Sequence, residues 1–336
     1  MIRVSRLASL IGVLLLQACE GGANGGDVGY DELPAAEIDA ICDYMVHCGL
    51  AAGGSLCADA WGGVLHPDPN LDAAVENGSV KYDEDAAKAC LETIRGGACS
   101  SGFLFQGDAP GSCDDIFKGT VADGGACWID EQCVSKQCET SGCADACCEG
   151  MCVAATPPAA IGEACGDGCV DGAFCDSNGV CAALKQSGEA CGGFDECASG
   201  LGCLAGTCQK GPAEGEPCLE FQCALPLACD PGTVTCEPLP GEGEACVPAA
   251  NNCKIGLTCS ASSMTCAKPG GVGSPCVPVF LGSGCAGDTY CAADQGATSG
   301  TCAALKADGA ACGDDGECVS GDCSNSVCGA PTVCVQ

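Results

Sequence analysis

One cysteine spacing recurs from residue 165 to the end of the chain, and it leaves little room for any fold that is not covalently stapled. Gly162-Glu163-Ala164-Cys165 opens the first copy, and Gly188-Glu189-Ala190-Cys191, Gly215-Glu216-Pro217-Cys218 and Gly243-Glu244-Ala245-Cys246 follow. Gly273-Ser274-Pro275-Cys276 and Gly309-Ala310-Ala311-Cys312 complete the set. The second and third cysteines of each copy are Cys169/Cys175, Cys197/Cys203, Cys223/Cys229, Cys253/Cys259 and Cys285/Cys291, always with five residues between them, and then Cys318/Cys323, with four between. Nine residues separate the fourth, at Cys181, Cys208, Cys236, Cys266 and Cys302, from the next copy's first each time; Cys328 and Cys334 end the run. Fixed intervals imply bridged, rigid structure, and the variable ones imply surface loops. Gly172, Gly200 and Gly256 lie three residues before a third cysteine, where a tight turn is expected.

Cysteine makes up 39 of 336 residues, above the roughly 8–10% that marks a disulfide scaffold. Aromatic residues are only 4%, too few to fill one large core. The expected fold class is therefore small and disulfide-rich. It consists of a short helical disulfide-stapled head followed by an extended array of small, mostly irregular or β-turn disulfide repeats.

The head is expected over residues 31–120 and the array over 121–336. Pro34 suits the first turn of a helix on which Ile38, Ile41, Cys42 and Met45 share one face, with Gly49 as the stop. A second helix fits residues 83–95, capped by Asp83, with Ala87, Cys90, Leu91 and Ile94 on its apolar face. Asn77-Gly78 marks a turn. Cys42, Cys48, Cys57, Cys90, Cys99 and Cys113 can form three bridges here, in any of 15 connectivities. The bulky run Phe103-Leu104-Phe105 is expected to pack under the helices.

Parity constrains the phase of the array. The six head cysteines and Cys127, Cys133, Cys138, Cys143, Cys147, Cys148 and Cys152 make thirteen, an odd number. If every cysteine pairs within the chain, at least one bridge crosses each boundary drawn before a Gly-Glu entry. Even counts put independent modules at starts Cys169, Cys197, Cys223, Cys253, Cys285 and Cys318, the last one holding Cys334. Closed four-cysteine beads in the Gly-Glu phase are not expected on this argument.

The first residues read as an address. Arg3 and Arg6 precede the apolar run from Leu10 to Leu16, which is too short to span a bilayer comfortably. Leu16-Gln17-Ala18-Cys19 then resembles the lipobox of bacterial lipoproteins. The resemblance implies cleavage after Ala18, giving a signal peptide over residues 1–18, and acylation of Cys19. An ordinary secretory signal cut at Ala18 is the alternative. Residues 19–30 form a Gly-rich tether. Removing Cys19 from the 39 cysteines leaves 38, an even number that suits complete pairing. Glu20, where an Asp would favour inner-membrane retention, implies an outer-membrane or cell-surface destination.

Two further resemblances concern the repeats. The stretch from Gly188-Glu189-Ala190-Cys191 through Glu196-Cys197 to Cys203 resembles the start of the dickkopf N-terminal cysteine-rich region, as does the stretch from Gly309 to Cys323. Dickkopf proteins bind receptors through such modules, but one short motif per repeat carries no partner across. The whole layout is similar to cysteine-rich lipoproteins of social soil bacteria, a likeness that brings no established activity.

The formal net charge is −33, or −35 once Arg3 and Arg6 are removed. Such a chain repels nucleic acid. No Cys-x-x-Cys, phosphate loop, nucleophile elbow or His-Glu-x-x-His occurs, so no cofactor, metal or catalytic residue is expected. Asp68, Asn70 and Asp72 mimic the start of a calcium loop, but Ala73 stands where its Gly should be. Trp128, Phe221, Phe280, Leu281 and Tyr290 lie in or beside the variable loops and are the candidate contacts. The expected function is non-enzymatic adhesion or protein recognition at the surface of a bacterium, by a chain held to the membrane through its lipid. A structural envelope spacer without a ligand, and a secreted inhibitor or processing enzyme using the head, are the alternatives.

Overall fold

The computed structural model describes residues 28–61, 68–99, 113–140, 147–166, 168–220, 222–247, 252–260, 262–276, 284–287, 289–293, 297, 299–330 and 332–335. Cys19, Ala18, Cys143, Phe221, Phe280, Leu281 and the run 103–105 lie outside them.

Among the described residues, four α-helices build the head. α1 spans Leu33–His47, α2 Gly54–Trp61, α3 Pro69–Glu76 and α4 Glu84–Arg95. The first and last are those expected. Asp83 accepts from the Ala86 N–H and caps α4, and Gly49 takes φ 72° beyond α1. The buried face of α1 differs from the expected one. Leu33, Glu37, Ala40, Cys42, Tyr44 and Met45 are buried, whereas Ile38 and Ile41 are half-buried. Strands β1 (Val80–Tyr82) and β2 (Phe117–Gly119) pair antiparallel, Tyr82 opposite Phe117. Tyr30, Tyr82 and Phe117 meet with ring centroids 5.6–6.1 Å apart. Beneath them Leu33, Leu71, Ala74, Val80, Ala87, Cys90 and Ile116 form one core. Cys42–Cys57 and Cys90–Cys113 staple it, and Cys48 and Cys99 are also bridged.

Beyond the head the cysteines pair first to third and second to fourth. The bonds are Cys165–Cys175 with Cys169–Cys181, Cys191–Cys203 with Cys197–Cys208, and Cys218–Cys229 with Cys223–Cys236. Cys246–Cys259 with Cys253–Cys266, Cys276–Cys291 with Cys285–Cys302, and Cys312–Cys323 with Cys318–Cys328 repeat the pattern. Each repeat is thus a closed four-cysteine bead in the Gly-Glu phase, which overturns the shifted modules that parity suggested. The premise that a bridge must cross every boundary was right; the crossing bridge is a single one, Cys147–Cys334, which spans 187 residues. Cys334 therefore pairs with Cys147 and not within the last bead.

A further bead precedes the six that the spacing revealed. Cys127–Cys138 and Cys133–Cys152 lock residues 127–152 in the same connectivity, with Cys147 and the bridged Cys148 carried in its last loop.

The bead frame explains the Gly-Glu signature. In all seven beads the entry glycine donates its N–H to the carbonyl of the fourth cysteine, as Gly162 does to Cys181 and Gly309 to Cys328, at 2.8 and 2.7 Å. That glycine has positive φ throughout, for example 95° at Gly162 and 91° at Gly188, so a Cβ would be strained there. The glutamate after it reaches back: Glu163, Glu189, Glu216 and Glu244 each accept from the N–H three residues upstream. Third and fourth cysteines face each other across a short hairpin, Cys203 opposite Cys208 and Cys259 opposite Cys266.

The residue two before the fourth cysteine sits in the left-handed region in several beads. Gly179 and Gly206 occupy it at φ 75° and 73°, but Val234 and Met264 do so at 57° and 54°. A β-branched residue there costs roughly 1–2 kcal/mol, and the added chain entropy of glycine offsets about half. Val234→Gly is therefore expected to leave its bead as stable or up to about 1 kcal/mol more stable, and Gly179→Val to weaken its own by a similar amount. Hydrogen exchange of the two hairpins reads both.

By contact, the described residues form two compact units: 28–96, 113–154 and 240–335 in one, 97–99 and 155–239 in the other. Within the first, the later beads pack against the head. Ile255 exchanges backbone bonds with Leu50 and Ala52 at 2.9 and 3.0 Å. Gly256, at φ 88°, lies so close to α2 that a Cβ would come within 2.6 Å of the Leu56 backbone. The turn expected there on spacing alone is also a point of close packing. The C-terminal Val335 is buried in the head core.

Candidate recognition surface

Two of the aromatic contacts expected from sequence fall on described residues, and both are engaged within the protein. Trp128 packs against the head core, and its backbone N–H donates to Gln132 Oε1 at 2.7 Å. Tyr290 lies under a lysine: Lys306 Nζ is 5.4 Å from the ring centroid and 2.6 Å from Glu317 Oε2. The same arrangement occurs at Phe174, where Lys185 Nζ is 5.5 Å from the ring and 2.5 Å from Glu196 Oε2. In each case the lysine lies between one bead's aromatic ring and the next bead's glutamate. Its backbone N–H also donates to that glutamate's carbonyl, at 2.7 Å in both. These two joints were not read from the sequence. The signal was there, as a lysine eleven residues before a glutamate that itself precedes a second cysteine.

The electrostatics of the joints are local. The Lys185 hydrogen bond and the Gly192 N–H hold the Glu196 carboxyl below its ordinary value. Burial pushes Glu317 up, but Lys306 and the Gly313 N–H outweigh it and leave that carboxyl low. Exposed pairs of this kind contribute little to stability, but each ties one bead to the next through the same lysine.

An open cleft of about 460 Å³ adjoins the second joint, lined by Tyr290, Ala292, Ala293, Ala297, Ser299, Gly300, Lys306 and Glu317. Its size is that of a small-ligand pocket. Its two charged groups are spent on each other.

The bead tips differ where the frame does not. Ile161 and Val272, 57% and 69% exposed, stand immediately before the entry glycines Gly162 and Gly273. The other beads carry Asp123, Ser187, Glu214, Glu242 and Asp308 there. Val234 and Met264 are exposed hairpin tips. Exposed apolar groups on a polar frame are what a contact surface needs.

Sulfur atoms crowd together in each bead, as at Cys191, Cys197 and Cys208. They are halves of two neighbouring disulfides and so offer no thiolate for a metal. The calcium-like triplet has protein partners throughout: Asp68 caps α3, Asn70 Oδ1 accepts from the Cys334 N–H, and Asp72 accepts from the Tyr30 hydroxyl at 2.5 Å. Burial first, and then that bond, push the Tyr30 hydroxyl pKa up. His47 is exposed at the end of α1, and His66 lies outside the described residues.

The fold and surface define a class: a stapled helical head with a run of interlocked two-disulfide beads. Compared with known family models, curated proteins and solved structures, the chain matches none.

Proposed function

We propose that this chain is a non-enzymatic adhesion or protein-recognition lipoprotein of the cell surface, held to the membrane by acylated Cys19. The observation that carries the proposal is a repeated frame with unlike tips. Seven beads share their bridges and entry turn, yet Ile161, Val272, Val234 and Met264 vary what the frame presents. Bridges at this density belong to an oxidising compartment. Among the described residues no helix is long and apolar enough to cross a membrane; the attachment proposed is the N-terminal lipid, with several acyl chains for durable anchoring.

Displayed on an inert bacterial host, the chain is expected to raise cell attachment several-fold. Ile161→Ser with Val272→Ser is expected to remove most of the gain, and Cys19→Ser to move the protein from the membrane to the soluble fraction. Attachment no greater than that of bare host cells would leave the spacer as the better account.

A further inference from the structure

We propose that Cys147–Cys334 is a clasp that removes six beads from the covalent path through the protein. Leaving aside the bridges of Cys48, Cys99 and Cys148, the other bridges between described residues close separations of 10 to 23 residues; this one closes 187. The beads at 165–181, 191–208, 218–236, 246–266, 276–302 and 312–328 all lie inside that loop.

Both ends of the loop are fastened to the head. On the Cys334 side, Asn70 Oδ1 accepts from the N–H groups of Cys334 and Val335 at 2.6 and 3.3 Å, while Asn70 Nδ2 donates to the Thr332 carbonyl at 3.4 Å. Val335 is 5% exposed in the head core. On the Cys147 side, the bead at 127–152 is tied in through Gln132 Nε2, which donates to Ser79 Oγ at 2.9 Å. Holding both ends at one place keeps the two sulfurs together despite the entropy of closing so long a loop.

The consequence is mechanical. A pull that enters before Cys147 and leaves after Cys334 crosses one sulfur–sulfur bond instead of six beads. For a pull of that kind the beads inside the loop carry no tension and keep their geometry. A spacer needs the opposite, with load carried through its repeats. The inference does not rest on the adhesion proposal, since it concerns covalent topology alone.

The test inserts a specific protease site after Lys210, an exposed residue between two beads, in the otherwise unaltered chain. After cutting, the protein is expected to run as one species on a denaturing gel without reductant and as two with it. Mapping of the cut protein should recover Cys147 and Cys334 in one cross-linked peptide pair. The Cys147→Ser/Cys334→Ser variant, cut in the same way, is expected to fall into two species without reductant. In stretching experiments that variant should also extend further than the parent, by on the order of 300 Å. Separation of the unsubstituted halves without reductant, or recovery of Cys334 bonded elsewhere, overturns the clasp. The decisive readings come from the unsubstituted cysteines, so misfolding of the variant cannot shelter the proposal.

Discussion

Replacing Cys197 and Cys208 together with serine is expected to melt the bead at residues 191–208 and leave the other beads folded. The bond between them closes a separation of 11 residues, and a loop of that size is worth about 3 kcal/mol in the chain-entropy account. Beyond the Cys191–Cys203 bridge, which the variant keeps, little else holds the bead: its buried side chains among the described ones are Cys197, Leu204 and Cys208, and one buried leucine supplies roughly 1.5–3 kcal/mol. Ordering a stretch of this length costs far more than that. Amide exchange makes the result local and readable. The N–H groups of Gly188, Cys191 and Cys208, bonded to Cys208, Gly206 and Glu189, should lose protection, while Gly162 and Cys181 in the preceding bead keep theirs. The double substitution is needed because a single one leaves a thiol free to attack neighbouring bridges. Full protection in the variant would mean that the Cys191–Cys203 bridge and side-chain packing suffice to maintain the bead.

How much of this was legible in the sequence depended on what each residue could reveal alone. The frame was visible because fixed cysteine intervals are covalent facts, and the Gly-Glu entry was visible because only glycine relaxes at positive φ. The phase was misread because parity counts crossing bridges without saying which they are. One bond, Cys147–Cys334, makes every boundary odd and so imitates a shifted repeat. The bead at 127–152 was hidden by Cys143, Cys147 and Cys148, which interrupt its last interval. α2 was missed because it opens with Gly53-Gly54 and shows no long periodic face. α3 is hard to see because the residues at its start, Asp68, Asn70 and Asp72, also have the spacing of a calcium loop. The packing of Ile255, Gly256 and Val335 on the head had no local signal. It pairs Ile255 with Leu50, and Val335 with Asn70 across 265 residues, which no periodicity in one chain can show.

The residue that departs furthest from the expected pattern, Glu37, carries the second large effect. It occupies the buried face of α1 at 5% exposure, and its Oε2 is buried without a hydrogen-bond partner. Burial pushes its carboxyl from the ordinary 4.5 up to about 8, and its charge in turn helps raise the Tyr82 hydroxyl to about 12, where burial is the main cause. Below pH 4.5 the carboxyl is protonated in both folded and unfolded chains, and the head bears no ionic penalty. Between 4.5 and 8 the unfolded chain has released a proton that the folded head still holds, so stability falls as pH rises. Above 8 the folded carboxylate is charged and buried, and the penalty is complete. At about 1.4 kcal/mol per unit the loss reaches at most about 5 kcal/mol. Asp39 and Glu131 are also raised, mainly by burial, and slope the same way, so the readout is the difference between two proteins. Glu37→Gln keeps the shape and cannot ionise. Urea midpoints followed by helical signal should coincide for the two near pH 4.5 and diverge towards pH 8, with the variant several kcal/mol more stable there. Parallel profiles across that range would mean that Glu37 ionises as an ordinary surface carboxylate and that the face of α1 packs differently.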